Sequence, residues 1–133
     1  METKGIPVAL VTAGALRVPL VIARRATKVY EGSAVNISYM SGNGAIETMA
    51  LSRRAVHEGQ RTLIVDDFTR DGGTARGMIA LMKEFGVPVA GVCFVLALER
   101  PQTALLENES SLMVMQPIGA DGSVRVRPSV WVK

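Results

Sequence analysis

The sequence contains few of the residues that form disulfides, metal sites or aromatic binding surfaces. It has one cysteine, Cys93, and one histidine, His57, which excludes an internal disulfide and a histidine-rich metal centre. Aromatic residues make up only 5% of the chain, and no helix-turn-helix pattern, zinc-ligand spacing or aromatic strip indicates nucleic-acid binding.

Long uninterrupted apolar runs are also missing. The most apolar stretch, residues 87–98, contains Pro88 and Gly91 and ends at a charged pair, so it is too short and too broken to cross a membrane. The first residues do not have the pattern of a secretory leader. With 133 residues, of which 48% are hydrophobic, the chain can build one core. The sequence predicts a single cytoplasmic domain over residues 1–133.

Residues 62–75, TLIVDDFTRDGGTA, carry most of the functional information. An apolar run ends there in two adjacent carboxylates, Asp66 and Asp67, and passes into a Gly-Gly-Thr turn. Carboxylates accept hydrogen bonds from vicinal hydroxyls, while the N–H groups of a glycine-rich turn and of the helix after it bind an anion. A hydroxyl pair beside a phosphate describes a phosphorylated ribose. The alternative is an ordinary strand–turn–helix junction without a ligand.

This segment resembles the signature of the type I phosphoribosyltransferase family, which is an apolar strand, two acids and Thr-Gly-Gly-Thr. The resemblance implies that Asp66 and Asp67 bind the ribose hydroxyls of 5-phosphoribosyl 1-pyrophosphate (PRPP) and that the turn binds its 5′-phosphate. The ring of Phe68 could cover a purine base, although a core position is the alternative. The turn residues implicated as ligand-binding are Arg70, Asp71, Gly72, Gly73, Thr74 and Ala75.

Two residues of the turn depart from the family's pattern. Asp71 stands where the family usually has threonine, and a carboxylate that faces a phosphate weakens its binding unless it is paired or turned away. Arg70 stands where base-exchange enzymes of the family carry a catalytic aspartate, and an arginine cannot act as a general base near neutral pH. The sequence therefore favours a ligand-binding protein without a catalytic residue over an enzyme.

The N-terminal segment ETKGIP, residues 2–7, resembles the pyrophosphate loop of the same family. The resemblance implies ligand contacts from Thr3, Lys4 and Gly5, with Lys4 facing the diphosphate and Gly5 permitting a strained or left-handed backbone. No resident cofactor or metal is implied, although Mg²⁺ can accompany the bound diphosphate. By the same resemblance, contacts from a hood over the diphosphate are expected from Arg24, Lys28 and Tyr30, for which solvated loop positions are the alternative.

Within this family, the chain is most similar to the effector-binding half of the purine operon repressors of Gram-positive bacteria. Residues 2–7, 28–33, 39–42, 47–51 and 66–68 carry that likeness. It implies a homodimeric regulator of purine genes that binds PRPP or a purine nucleotide and contacts DNA only through a domain absent from this chain. Two alternatives stay open, a purine (xanthine-like) phosphoribosyltransferase and a dimerisation module with a vestigial pocket.

The predicted elements alternate as in an α/β fold, with a mostly parallel sheet flanked by helices and an antiparallel hairpin at Gly42-Asn43-Gly44. The family's core strand before the pyrophosphate loop is not found in this sequence, so an N-terminally truncated domain with an incomplete sheet is expected. Rearrangement or a second copy would close that gap. Beside the strand that ends at the acids, strands are predicted at 19–23, 33–40, 46–51, 89–96, 112–116 and 124–132, and helices at 8–16, 51–58, 75–85 and 103–108.

Overall fold

The structure is a computed structural model that describes residues 4–25 and 33–132. Two α-helices and two β-sheets make up this part of the chain. The helices are α1, Gly5–Leu16, and α2, Gly73–Glu84. The strands are β1, Ala34–Met40; β2, Ile46–Ser52; β3, Thr62–Thr69; β4, Val89–Leu98; β5, Glu109–Met115; and β6, Val126–Pro128.

The larger sheet has the order β3-β4-β5-β6. Strands β3, β4 and β5 run parallel, and β6 pairs antiparallel with β5. The core lies where Val92 and Phe94 of β4 and Ile64 of β3 meet Leu81 and Met82 of α2. Because parallel strands end at one edge of their sheet, the β3–α2 turn and the segment after β4 come together there. The predicted α/β class is confirmed.

The smaller sheet is the predicted hairpin of β1 and β2. Its turn closes with the Ser41 N–H donating to the Ala45 carbonyl at 2.8 Å, and Gly44 has a φ of +80°, which favours glycine. The hairpin packs on α2 at Gly77, where a Cβ would lie 2.8 Å from Cγ of Tyr39 and 2.9 Å from Cε of Met49. Only a glycine allows this close approach.

Two predictions next to the hairpin were wrong. Residues 19–23 form no strand, and only Arg24 bridges to Ala50, with N···O distances of 2.9 and 2.7 Å. A strand needs a neighbour to bond to, and the described ranges contain none along this segment. The predicted helix 51–58 is also absent because β2 continues to Ser52, paired with Ala34, and residues 53–60 form turns and irregular loop. Gly59 therefore closes a turn instead of a helix.

The predicted helix at 103–108 was wrong too, since only a 3₁₀ turn forms at Gln102–Ala104. The Leu106 N–H is instead bound by the side chain of Glu109 at 2.9 Å, and Asn108 has a φ of +53°. Helices α1 and α2 start earlier than predicted, and β6 is shorter than its prediction. No helix in the described ranges is both long enough and apolar enough to span a membrane.

Candidate functional site

The turn between β3 and α2 presents backbone N–H groups at the carboxyl edge of the sheet. Gly72 reverses the chain with a φ of +83°, and its N–H donates to the buried Thr69 hydroxyl at 3.0 Å. Helix α2 then begins at Gly73. The geometry of an α-helix leaves the N–H groups of Thr74 and Ala75 without an intrahelical acceptor, and the helix dipole adds positive potential. This arrangement suits a phosphate.

A carboxylate of the chain already occupies part of this turn. Oδ1 of Asp71 accepts the N–H of Gly73 at 2.8 Å, so one of the three N–H groups at the start of α2 is bound within the protein. The carbonyl of the same residue accepts a hydrogen bond from Nη1 of Arg76 at 2.7 Å. Asp71 is thus positioned to compete with a phosphate for one donor.

The end of the hairpin lies against the turn, and together they line an open cavity of about 280 Å³. A Cβ at Gly73 would overlap the Met40 carbonyl oxygen, and a Cβ at Gly42 would lie 3.4 Å from Oδ1 of Asp71. Two glycines therefore allow the hairpin and the turn to meet. The cavity is lined by Gly42, Asn43, Phe68, Thr69, Arg70, Asp71, Gly73, Thr74, Ala75 and Phe94.

The two acids of β3 have different environments. Asp66 is buried, and burial raises the pKa of its carboxyl. Its Oδ1 accepts the N–H of Asp67 at 3.1 Å. Asp67 is only half-buried, so its carboxylate is the more accessible of the two. Neither acid is among the residues that line the 280 Å³ cavity, whereas Phe68 lines it with a ring that is 41% exposed.

Helix α1 starts directly against Asp66. A Cβ at Gly5 would overlap Asp66 Oδ1 and would lie 3.2 Å from Asp66 Cα. The expectation of a left-handed backbone at Gly5 was wrong, because this residue begins the helix and is absent from the glycines of positive φ. Glycine is needed at this position because a side chain would overlap Asp66. Lys4 is exposed beside it.

Some of the implicated residues lie elsewhere or outside the described part of the chain. The backbone of Arg24 bridges to β2 of the hairpin. Thr3, Lys28 and Tyr30 belong to the residues that the structure does not describe. The hood contacts expected from Arg24, Lys28 and Tyr30 therefore remain predictions.

The sequence analysis missed a buried ion pair behind the turn. Arg100 follows β4 and pairs with Glu109 of β5, with side chains 7% and 4% exposed. Nη1 of Arg100 lies 3.2 Å from where a Cβ at Gly72 would be. Within the described residues, Nε and Nη1 of Arg100 have no hydrogen-bond partner. The sequence did contain a signal for this position. Arg100 closely follows β4, and neighbouring parallel strands end at the same edge of a sheet, so a residue after β4 is expected close to the turn after β3.

A second missed group joins the hairpin to the turn. The hydroxyl of Tyr39 donates to Oε2 of Glu47 at 2.9 Å. Burial and the neighbouring Glu47 raise the pKa of Tyr39 to about 12, and a hydrogen bond with Thr74 acts in the opposite direction. Tyr39 therefore stays protonated at neutral pH and links β1 of the hairpin to Thr74 at the start of α2.

Comparison with known proteins gives consistent matches over most of the chain. The model of the phosphoribosyl transferase domain matches residues 1–126. The purine biosynthesis transcriptional repressor PurR of Bacillus subtilis is 44% identical over 119 residues, which cover 89% of this chain and 42% of the repressor. The purine biosynthesis transcriptional activator PurR of Lactococcus lactis subsp. lactis is 43% identical over 119 residues, or 89% of this chain and 44% of the activator.

A solved structure gives the same picture at the level of the fold. Adenine phosphoribosyltransferase from Thermoanaerobacter pseudethanolicus superposes with a TM-score of 0.75 at 26% identity, over 86% of this chain and 66% of that protein. The chain spans less than half the length of the two curated regulators that it matches.

Proposed function

Because the chain belongs to the phosphoribosyl transferase domain family and is related to regulators of purine biosynthesis, we propose that it is the effector-binding domain of a cytoplasmic purine operon regulator and that its ligand is PRPP. The observation that carries this proposal is the β3–α2 turn. It combines free N–H groups at the start of α2 with two carboxylates on the strand before it. A ribose 5-phosphate needs both kinds of partner.

In this proposal the 5′-phosphate accepts hydrogen bonds from the N–H groups of Thr74 and Ala75. It competes with the carboxylate of Asp71 for the N–H of Gly73. The ribose hydroxyls donate to Asp67, the more exposed acid, and to Asp66 where it is ionised. Occupancy of the site then biases the conformations that the regulator samples.

The diphosphate of PRPP would extend toward the start of α1. Lys4 is exposed there and supplies a positive charge at that helix's N-terminus. Across residues 4–25 and 33–132, no three histidine, cysteine, aspartate or glutamate side chains come together to hold a metal ion. We propose that Mg²⁺ accompanies the bound diphosphate, with the half-buried Asp67 available to it.

The first experiment measures PRPP affinity by calorimetry for the protein and for Asp67→Asn. Loss of a charged hydrogen-bond acceptor should weaken binding by about 1–3 kcal/mol. Asp121→Asn is the matched control, since Asp121 is an exposed acid whose Oδ1 accepts the N–H of Ser123 in a separate turn. It changes the net charge equally and should leave the affinity unchanged. Equal affinities for all three proteins would reject the ribose assignment.

A second candidate function, phosphoribosyl transfer to a purine base, is favoured by the likeness to adenine phosphoribosyltransferase. Against it, Arg70 is exposed at the mouth of the turn and cannot accept a proton near neutral pH. We propose that the chain does not catalyse this transfer. Release of pyrophosphate from PRPP in the presence of adenine, guanine, hypoxanthine or xanthine, at a rate above the protein-free background, would overturn that statement.

We further propose that the regulator acts as a homodimer and that another part of the protein supplies its DNA contacts. Large apolar side chains on α1, including Leu10 at 60% and Val11 at 73% exposure, form a surface that favours self-association. A monomer by light scattering across the micromolar range, with PRPP present, would contradict the dimer. That result would not affect the proposal that the site binds PRPP, which calorimetry tests separately.

A further inference from the structure

The buried ion pair of Arg100 and Glu109 lies directly behind the β3–α2 turn. Arg100 follows β4, Glu109 begins β5, and their side chains are 7% and 4% exposed. A Cβ at Gly72 would lie 3.2 Å from Nη1 of Arg100. Asp71 and Gly73 line the 280 Å³ cavity, whereas Gly72 and Arg100 do not. The guanidinium therefore lies against the turn from outside the cavity.

The pair is oriented with its positive end toward the turn. Nη2 of Arg100 donates to Oε1 of Glu109, and Oε2 of Glu109 accepts the N–H of Leu106 at 2.9 Å. Within the described ranges, Nε and Nη1 of Arg100 have no hydrogen-bond acceptor, and Nη1 is the nitrogen beside Gly72. Both oxygens of the carboxylate are thus bound, while an unpaired N–H group of the guanidinium lies next to the backbone of the turn.

Stability alone is a poor explanation for this pair. Replacing a buried ion pair by apolar side chains of similar volume is often neutral or stabilising, and buried donors without an acceptor cost free energy. A buried charge does act on its neighbours, because charges interact more strongly through low-dielectric surroundings than through water, and salt screens them less. Arg70 in the turn and Arg76 in α2 are exposed. Arg100 is therefore the least screened of these three positive charges.

We propose that Arg100 is a positioning residue for the phosphate site. Without touching the ligand, its buried charge raises the positive potential at the N–H groups of Thr74 and Ala75, in the same direction as the helix dipole. Glu109 offsets part of that potential. This role rests on the proposed function, because it needs a phosphate at the start of α2. The ion pair then sets how tightly the turn holds the 5′-phosphate of its ligand.

The test measures the affinity for ribose 5-phosphate by calorimetry and the stability of the same proteins by urea denaturation. Glu109→Gln keeps the shape and an acceptor for the Leu106 N–H but removes the charge that offsets Arg100. It should lose stability, because it leaves a buried charge without a counterion. It should nevertheless bind ribose 5-phosphate more tightly, by about threefold or more. A merely structural role for the pair would make stability and affinity fall together.

Two further variants separate charge from shape. Arg100→Met combined with Glu109→Leu replaces the pair by apolar side chains, so this double variant should keep most of the stability. It should bind ribose 5-phosphate more weakly, by about threefold or more. Arg100→Lys retains a positive charge and should recover part of the affinity that the double variant loses. The comparison of these two variants tests the role of the charge even if Glu109→Gln fails to fold.

Glu99→Gln is the matched control. Glu99 precedes Arg100 in the sequence, and its Oε1 pairs with Nη2 of Arg127 at 2.7 Å, with both side chains exposed. Exposed ion pairs contribute little to stability and are screened by salt. The same loss of one carboxylate should therefore leave stability and affinity nearly unchanged. Tighter binding by Glu99→Gln to the same extent as by Glu109→Gln would mean that net charge, and not the position of Arg100, sets the affinity.

Three other outcomes would also overturn the role of Arg100. Equal affinities of the unmodified protein, Glu109→Gln and the double variant would mean that the pair does not act on the site, while the proposed function would stand. Weaker binding by Glu109→Gln, or binding by Arg100→Lys as weak as that of the double variant, would leave the pair with a structural role only. No binding of ribose 5-phosphate by the unmodified protein would reject the proposed function as well.

Discussion

Gly5 and Gly14 lie in the same helix, but only Gly5 contacts the candidate site. A Cβ at Gly5 would overlap Oδ1 of Asp66 and lie 3.2 Å from its Cα, whereas a Cβ at Gly14 would have no atom within 4 Å. Gly5→Ala must therefore move the buried carboxylate or the start of α1. Overpacking costs about 1–3 kcal/mol, and loss of the bond from the Asp67 N–H adds about 1 kcal/mol. We expect the free energy of unfolding to fall by about 2–4 kcal/mol.

Gly14→Ala is the control for this prediction. The same change in open space should raise the free energy of unfolding by about 0.5–1 kcal/mol, because alanine favours a helix over glycine. Urea denaturation of the two variants measures both effects, and calorimetry with PRPP measures the effect on the site. Gly5→Ala should weaken PRPP binding by displacing Asp66, and Gly14→Ala should not. Stabilisation by both substitutions would refute the close contact between α1 and Asp66.

Three further predictions concern charged groups of the site. Asp71→Thr should tighten the binding of ribose 5-phosphate in calorimetry, because it frees the N–H of Gly73 and removes a like charge. Loss of the Asp71–Gly73 hydrogen bond should lower the free energy of unfolding by about 1 kcal/mol, which thermal unfolding measures. Unchanged affinity would mean that Asp71 does not compete with the phosphate. Burial raises the pKa of Asp66, so the folded state binds its proton more tightly than the unfolded state, and stability falls as the pH rises above 3.8. Asp66→Asn should flatten that part of the plot of urea midpoint against pH. An unchanged slope would contradict a raised pKa at Asp66. Glu109→Gln should destabilise the protein by about 3 kcal/mol by leaving the Arg100 guanidinium buried without its partner, whereas Glu109→Leu combined with Arg100→Met should cost less, and equal losses in denaturant titration would argue against a buried pair.

The sequence predicted the β3–α2 junction well because everything that determines it is local. An apolar strand, the turn glycines and the start of α2 follow one another within residues 62–75, and each has its own chemical signature. Hairpin β1–β2 was predicted for the same reason, through the turn that closes at Ala45. Family membership followed from these segments and is supported by the match over residues 1–126.

The errors lie where the structure depends on distant partners. Residues 19–23 have the composition of a strand, yet composition cannot supply a neighbour for its backbone. Residues 103–108 have helical residues, but Glu109 and Arg100 meet across two strands and draw the backbone of Leu106 away from a helix. The ion pair of Arg100 and Glu109 was not predicted because both residues are far in sequence from the motif at residues 62–75.

In the proposed function, the β3–α2 turn accounts for ligand sensing without catalysis. A phosphate that binds the Gly73 N–H must first displace Asp71 from it, so part of the binding free energy is spent on exchanging one acceptor for another. An enzyme that must hold PRPP in a reactive geometry loses rate by such an exchange. A sensor only needs an affinity that matches the working concentration of its ligand. The hydrogen bond between Asp71 and the Gly73 N–H raises the ligand concentration at which the site fills. In the proposed regulator, the carboxylate of Asp71 would weaken the site for chemistry and suit it for regulation, and Arg70, which cannot accept a proton, would remove no group that a sensor requires.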